Sequence, residues 1–189
     1  KKQLITGHGI DTKKFVPDAS KREAGHLVSV GRITSVKQYD RILKILADLP
    51  EETRLTIAGG TITDRDKETE KNLREQIHRL NLADRTEIGW VAPEDMPSLL
   101  QRADVFVHAA QGGLDKVALQ AMACGVPVVT SSEAARDALP SKYRFGSVSE
   151  VMRLPADERE VLGTELRSII ETEHELGQCI ANIVSGMQK

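Results

Sequence analysis

The chain has 189 residues, enough for one domain with a substantial core. A formal net charge of −2 and a sparse aromatic set (one Trp, two Tyr, three Phe) leave no basic footprint and no stacking platform for nucleic acid. No apolar run approaches the roughly 18 residues of a membrane-spanning helix, and no signal peptide is visible. Two cysteines far apart in sequence, Cys124 and Cys179, have no metal-ligand spacing and read as reduced, buried thiols of a cytoplasmic protein.

Lys-Lys-Gln at the start leads without a methionine into a strand-like stretch, Leu4 to Thr6, so the chain reads as a piece of a longer polypeptide. A turn-rich loop, GHGIDTKKFVP, follows. His26 to Val30 reads as an apolar strand ending at Gly31-Arg32, and Lys37 to Leu49 as a helix with Ile42, Leu43, Ile45 and Leu46 at helical spacing. Arg54 to Ala58 is a strand ending in Gly59-Gly60. The charged stretch Asp64 to Leu82 carries Leu73, Ile77 and Leu80 on one stripe, a surface helix packed by one face. Arg85 to Gly89 is the next strand, and Pro93 opens a short helix with Met96, Leu99 and Leu100 inward.

Asp104 to Thr130 is a compact βαβ unit: a buried strand (Val105 to His108), a loop with Gly112 and Gly113, a helix (Lys116 to Ala123), a turn at Gly125, and a second strand (Val126 to Val129). Such a loop opens onto a helix amino end, where unpaired N–H groups can hold an anion or a sugar hydroxyl; the same glycines would equally serve a tight turn. Tyr143 to Ser147 reads as an edge strand, and Pro155 to Thr172 and Glu175 to Gln188 as two last helices. Strands alternating with helices predict an α/β, Rossmann-like parallel sheet with helices on both faces.

Each glycine cluster follows a strand, which lines Gly31, Gly59-Gly60, Gly89 and Gly112-Gly113 along the carboxyl edge of the sheet, where open α/β folds bind ligands. VGRITSVKQ lacks the G-x-G-x-x-G fingerprint, and no phosphate-loop lysine pattern is present. What remains is Arg32 at one strand end with Lys37 five residues on, a fork and a point charge able to converge on one diphosphate. On spacing alone the two also fit an ordinary solvated Arg and Lys. No His-Glu-x-x-His or similar cluster is present, so no metal site is expected. Of the five histidines, His8, His26, His78 and His174 carry no signal, and His108, at the end of a strand, is the one placed to touch a ligand.

GIDTKKF, VGRITSVKQ, LTIAGG, IGWVAPEDMPSLLQRADVFV and LQAMACGVPVVTS, in that order, resemble the donor-binding half of a GT-B retaining glycosyltransferase. The similarity is to the large family that includes glycogen synthases, sucrose synthases and bacterial mannosyl- and lipopolysaccharide sugar transferases. It runs from Gly9 to about Thr130. The resemblance implies that residues 1–189 form the nucleotide-sugar-binding domain, with an amino-terminal acceptor domain outside this chain. It implies that Arg32 and Lys37 clamp the donor diphosphate after Gly31. Gly89, Trp90 and Val91 lie against the nucleobase, and the loop Gly112, Gly113, Leu114, Asp115 with Lys116 offers amides to sugar and phosphate. No cofactor is implied; the substrate is a UDP-, GDP- or ADP-sugar. The acceptor is a sugar, lipid or protein. The mechanism is metal-independent with retention, and the full-length protein could touch a membrane peripherally.

In one respect the chain departs from the family, which sets two glutamates eight residues apart, where this chain has Gly112 and Gln120. An amide at Gln120 makes a weaker bond to a ribose hydroxyl than a carboxylate would. Asp115, three residues along the loop, is placed to cover part of the lost role. Two other functions fit the same resemblance: a nucleotide-sugar epimerase of GT-B architecture, and a non-catalytic nucleotide-sugar-binding module.

Overall fold

The computed structural model describes residues 8–113, 115–137 and 139–187. The expected extended stretch Leu4–Thr6 and the loop residue Leu114 lie outside the described residues. Five parallel strands form one sheet: β1 (His26–Val30), β2 (Arg54–Ala58), β3 (Thr86–Gly89), β4 (Val105–His108) and β5 (Val128–Thr130), in the order β3-β2-β1-β4-β5. The order reverses between β1 and β4, the chain's topological switch point.

Strand periodicity of two sends neighbouring side chains to opposite faces. Leu27, Leu55, Ile57, Val105, Val107 and Val129 meet helices on one face, and Val28, Phe106 and Val128 on the other. The first face is covered by α1 (Tyr39–Ala47), α2 (Asp64–Arg79) and α6 (Val148–Met152); the second by α3 (Met96–Arg102), α4 (Lys116–Ala123) and α7 (Ala156–Glu173). Two short or peripheral helices complete the fold, α5 (Glu133–Asp137) and α8 (Leu176–Met187). Within α1 the buried positions Ile42, Leu43 and Leu46 form the expected stripe, and in α2 Leu73 and Ile77 do so on an otherwise charged helix.

Local chemistry sets the helix starts. Lys37 was expected inside the first helix, but it ends a single 3-10 turn (Ser35–Lys37); Gln38, at φ 51°, breaks the geometry before α1 begins. Thr63 and Asp66 form a capping box at α2: the Asp66 N–H donates to Thr63 Oγ1 at 3.2 Å, and the Thr63 N–H donates to Asp66 Oδ2 at 3.1 Å.

The strand expected over Tyr143–Ser147 is absent. Ser141–Tyr143 is a 3-10 turn, and the Tyr143 hydroxyl donates to Glu165 Oε2 on α7 at 2.9 Å. Arg144 Nε donates to the Leu139 carbonyl at 2.7 Å. Alternating Tyr143 and Phe145 report burial against helices rather than pairing in a ladder. The strand placed over Val126–Val129 begins later, at Val128.

Arg167, on α7, fastens the opening loop to the body. Its guanidinium donates to the carbonyls of Thr12 (2.7 Å), Ala123 (2.9 Å) and Phe15. Cys124 and Cys179 are both buried and neither is in a disulfide. Burial pushes the Cys124 thiol up to about 12.

Candidate functional site

The carboxyl ends of β1, β2 and β3 are knitted by main-chain hydrogen bonds: Gly31 N–H to Ala58 O (3.0 Å), Ile33 N–H to Gly60 O (3.0 Å) and Gly59 N–H to Gly89 O (2.8 Å). Three of the expected glycine positions therefore do share one edge. Trp90 follows β3, is 73% exposed, and stands beside Gly60. Val91, next along, is partly buried against the core. Gly89 and Trp90 border this edge, and Trp90 stands largely in solvent.

The loop after β1 carries Arg32 and Lys37, and both line one cavity of about 450 Å³ between that loop and the start of α2. Thr34, Ser35, Thr63 and Thr69 supply hydroxyl groups to the same cavity, and Arg65 supplies a third cation. Arg32, half exposed, pairs with Asp66 (Nε to Oδ2, 3.8 Å). Main-chain donors at the α2 amino end, chiefly that of Thr63, hold the Asp66 carboxyl below its usual range, and the Arg32 charge adds to this. Arg65 was not singled out from the sequence. A cation in the first turn of a helix is opposed by the dipole, and that local signal is present at Arg65.

Lys37 faces a second element as well. Its ammonium pairs with Asp115, the residue preceding α4, although the two are 78 positions apart. Gly31 makes room for this reach: a Cβ there would lie 2.9 Å from Lys37 Cε. The same Asp115 oxygen lies 3.3 Å from His108 Nε2, and His108 Nδ1 lies 2.9 Å from Thr130 Oγ1. Thr130 Oγ1 also accepts the Ser132 N–H at 3.1 Å. Burial lowers the His108 pKa; the Asp115 charge works against this and the Lys37 charge with it. Tyr39, nearby, donates to Gly31 O at 2.8 Å, and burial raises its pKa, with the Asp115 charge adding.

Gly112 and Gly113 are exposed, and Lys116 begins α4 with its side chain in solvent. Gly112 has φ +114°, a conformation side-chain-bearing residues avoid, and its carbonyl accepts the Ser132 hydroxyl at 2.6 Å. The backbone at this position therefore suits glycine. Gln120 lies one turn along α4 from Lys116, half buried. The arrangement joins Arg32, Lys37, Asp115 and His108 through contacts and a shared cavity, and leaves Gln120 and the β3 loop as separate borders. Among the described residues no group of three or more His, Cys, Asp or Glu is placed to hold a metal ion.

A parallel sheet with a glycine-lined, cation-bearing carboxyl edge defines a Rossmann-like domain. The chain belongs to the glycosyl transferases group 1 family, whose profile matches residues 11–136. Mannosylfructose-phosphate synthase of Agrobacterium fabrum is 32% identical over 140 residues, covering 65% of this chain and 31% of that protein. Sucrose-phosphate synthase from Thermosynechococcus elongatus superposes with a TM-score of 0.83 at 20% identity, over 96% of this chain and 50% of the other. Anabaena Alr3699/HepE, solved with UDP and glucose, superposes at 0.81 with 15% identity, over 96% and 55%. The fold is thus that of the carboxyl-terminal half of GT-B glycosyltransferases, and the chain spans a third to about half of the proteins it matches.

Proposed function

We propose that residues 1–189 are the donor-binding domain of a glycosyltransferase, holding a nucleoside-diphosphate sugar whose glycosyl group passes to an acceptor on a separate amino-terminal domain. One observation carries this: Arg32 and Lys37 line a single polar cavity, and Lys37 reaches the amino end of α4 as well. A diphosphate placed there meets two or three cations and the hydroxyls of the β1 and β2 loops, and Lys37 links that cavity to the amino end of α4. Trp90 offers a flat face to the nucleobase, as Gly89 and Val91 offer main-chain groups. The solved neighbour holding UDP and glucose supports UDP as the first nucleotide to test, with GDP and ADP beside it.

In this function the chain's cations stabilise charge on the departing diphosphate, which is electrostatic catalysis without a protein-bound metal, and the anomeric configuration is retained. The catalytic roles of Arg32 and Lys37 lie in that charge stabilisation. The surface of α8 supports a missing domain: Leu176, Ile180, Ile183 and Val184 are exposed along it. No helix among the described residues is long and apolar enough to cross a membrane. A non-catalytic binding module is the second function to weigh, because Gly112 and Gln120 stand where the family has carboxylates.

Titration of the domain with UDP, GDP and ADP, followed by Trp90 fluorescence and calorimetry, tests the assignment. Arg32→Ala should weaken the preferred diphosphate by about tenfold, since a charge-assisted bond contributes roughly 1.5–3 kcal/mol. The parent nucleoside should bind unchanged. Equal losses for nucleoside and diphosphate would make Arg32 structural, and no binding of any of the three would end the donor assignment. Turnover on an acceptor by the full-length protein separates a transferase from a binding module.

A further inference from the structure

The amino-end acid of α4 does not serve its own helix. Asp115 occupies the N-cap position, yet its carboxylate makes no hydrogen bond to the α4 N–H groups. It turns across to the Lys37 ammonium and lies within 3.3 Å of His108 Nε2. An aspartate at an N-cap ordinarily satisfies the second or third N–H of its helix, and forgoing that bond is unfavourable. Here the carboxylate gains the Lys37 ammonium instead, with His108 Nε2 3.3 Å away. One consequence follows: the cation best placed for a diphosphate already holds an anion.

We propose that Asp115 is the built-in counter-ion of Lys37, and that a bound diphosphate takes its place, so that binding at this site exchanges one anion for another. The proposal rests on the donor-binding function given above, and identifies Asp115 as a positioning residue acting through Lys37. In the free domain the pair keeps the ammonium over the β1 loop and prevents it from swinging into solvent. When phosphate oxygens arrive, Lys37 turns to them, and the carboxylate remains beside His108 Nε2. Affinity is lower than the cations alone would give, because Lys37 must leave a partner and an acid stays beside the phosphates. His108, which the sequence placed near a ligand, therefore acts by receiving Asp115 rather than by touching substrate.

Calorimetry with inorganic pyrophosphate, and separately with UDP, GDP and ADP, on the wild-type chain, Asp115→Asn and Asp115→Glu decides the matter. Asp115→Asn should bind pyrophosphate about tenfold more tightly, the scale of one charge-assisted contact released. Asp115→Glu should bind as wild type does. A purely structural role for Asp115 predicts the opposite sign, weaker binding by Asp115→Asn, and either that result or no change overturns the exchange. A crystal structure with pyrophosphate gives the second measurement. Lys37 Nζ should lie within hydrogen-bond distance of a phosphate oxygen and away from Asp115, whereas an intact Lys37–Asp115 pair beside bound ligand would overturn the exchange. If Asp115→Asn tightens pyrophosphate while no nucleoside diphosphate binds, the exchange stands and the donor function fails. If nucleoside diphosphates bind and Asp115→Asn tightens nothing, the exchange fails alone. Pyrophosphate that binds neither wild type nor Asp115→Asn also ends it.

Discussion

Replacing Gly31 by alanine couples the backbone of the fold to the chemistry of the site. Gly31 has φ +149°, and an added Cβ would lie 2.9 Å from Lys37 Cε, 3.3 Å from Lys37 Nζ and 3.3 Å from the Tyr39 hydroxyl. Three costs follow. The backbone conformation is unfavourable for alanine by roughly 1–3 kcal/mol. The hydrogen bond from Tyr39 to Gly31 O, 2.8 Å long, is displaced and contributes about 1 kcal/mol. The Lys37 stem, being flexible, moves aside rather than clashing. Together the first two destabilise the domain by about 2–4 kcal/mol, and in a domain of this size each kcal/mol lowers Tm by roughly 2–4 °C. Lys37 displaced from the β1 loop no longer meets the phosphates, so diphosphate affinity should fall by about tenfold. Scanning calorimetry reads the first effect and fluorescence titration of Trp90 the second. The Lys37→Met background supplies the control: there Gly31→Ala should lower Tm as before but cost no further affinity. An affinity loss of equal size in that background would refute the route through Lys37, and an unchanged Tm would refute the strain.

Arg167→Met should destabilise the domain by about 2–4 kcal/mol in urea unfolding, because it strands the carbonyls of Thr12, Phe15 and Ala123 that the guanidinium now satisfies; a change under about 0.5 kcal/mol would show that water replaces those bonds. Acidification from pH 7.5 to 5.5 should lower Tm. His26 and His108 are held neutral by burial, with pKa values below the ordinary 6.5, so below about pH 6.5 the unfolded chain binds protons that the folded one does not. Stability present above that pH is lost as pH falls through it. Glu23 and Asp66, whose carboxyls are held low by Arg102 and by the α2 amino end respectively, titrate below this window. His108→Gln should flatten the slope, and a Tm that rises on acidification would contradict the neutral assignment.

The sequence by itself determined the layers of this protein, because periodicity and burial are local properties. Leu27 against Val28, and Val105 against Phe106, alternate between two helical covers as a period of two demands. Glycines after strands, with Arg32 and Lys37 at one of them, already marked the carboxyl edge, and the colinear motifs marked the family. Tyr143 to Phe145 shows where local pattern fails: alternation reports which side chains are buried, not whether a neighbouring strand is there to receive their N–H groups, and Tyr143 is buried by α7 instead. Only the tertiary structure decided the site's electrostatics. Arg65 joins Arg32 because α2 begins beside the β1 loop, and Asp115 meets Lys37 across 78 residues because β1 and β4 are neighbours in the sheet. An ion pair depends on distance in space and on the partner's burial, and neither quantity is written in the spacing of residues along one chain.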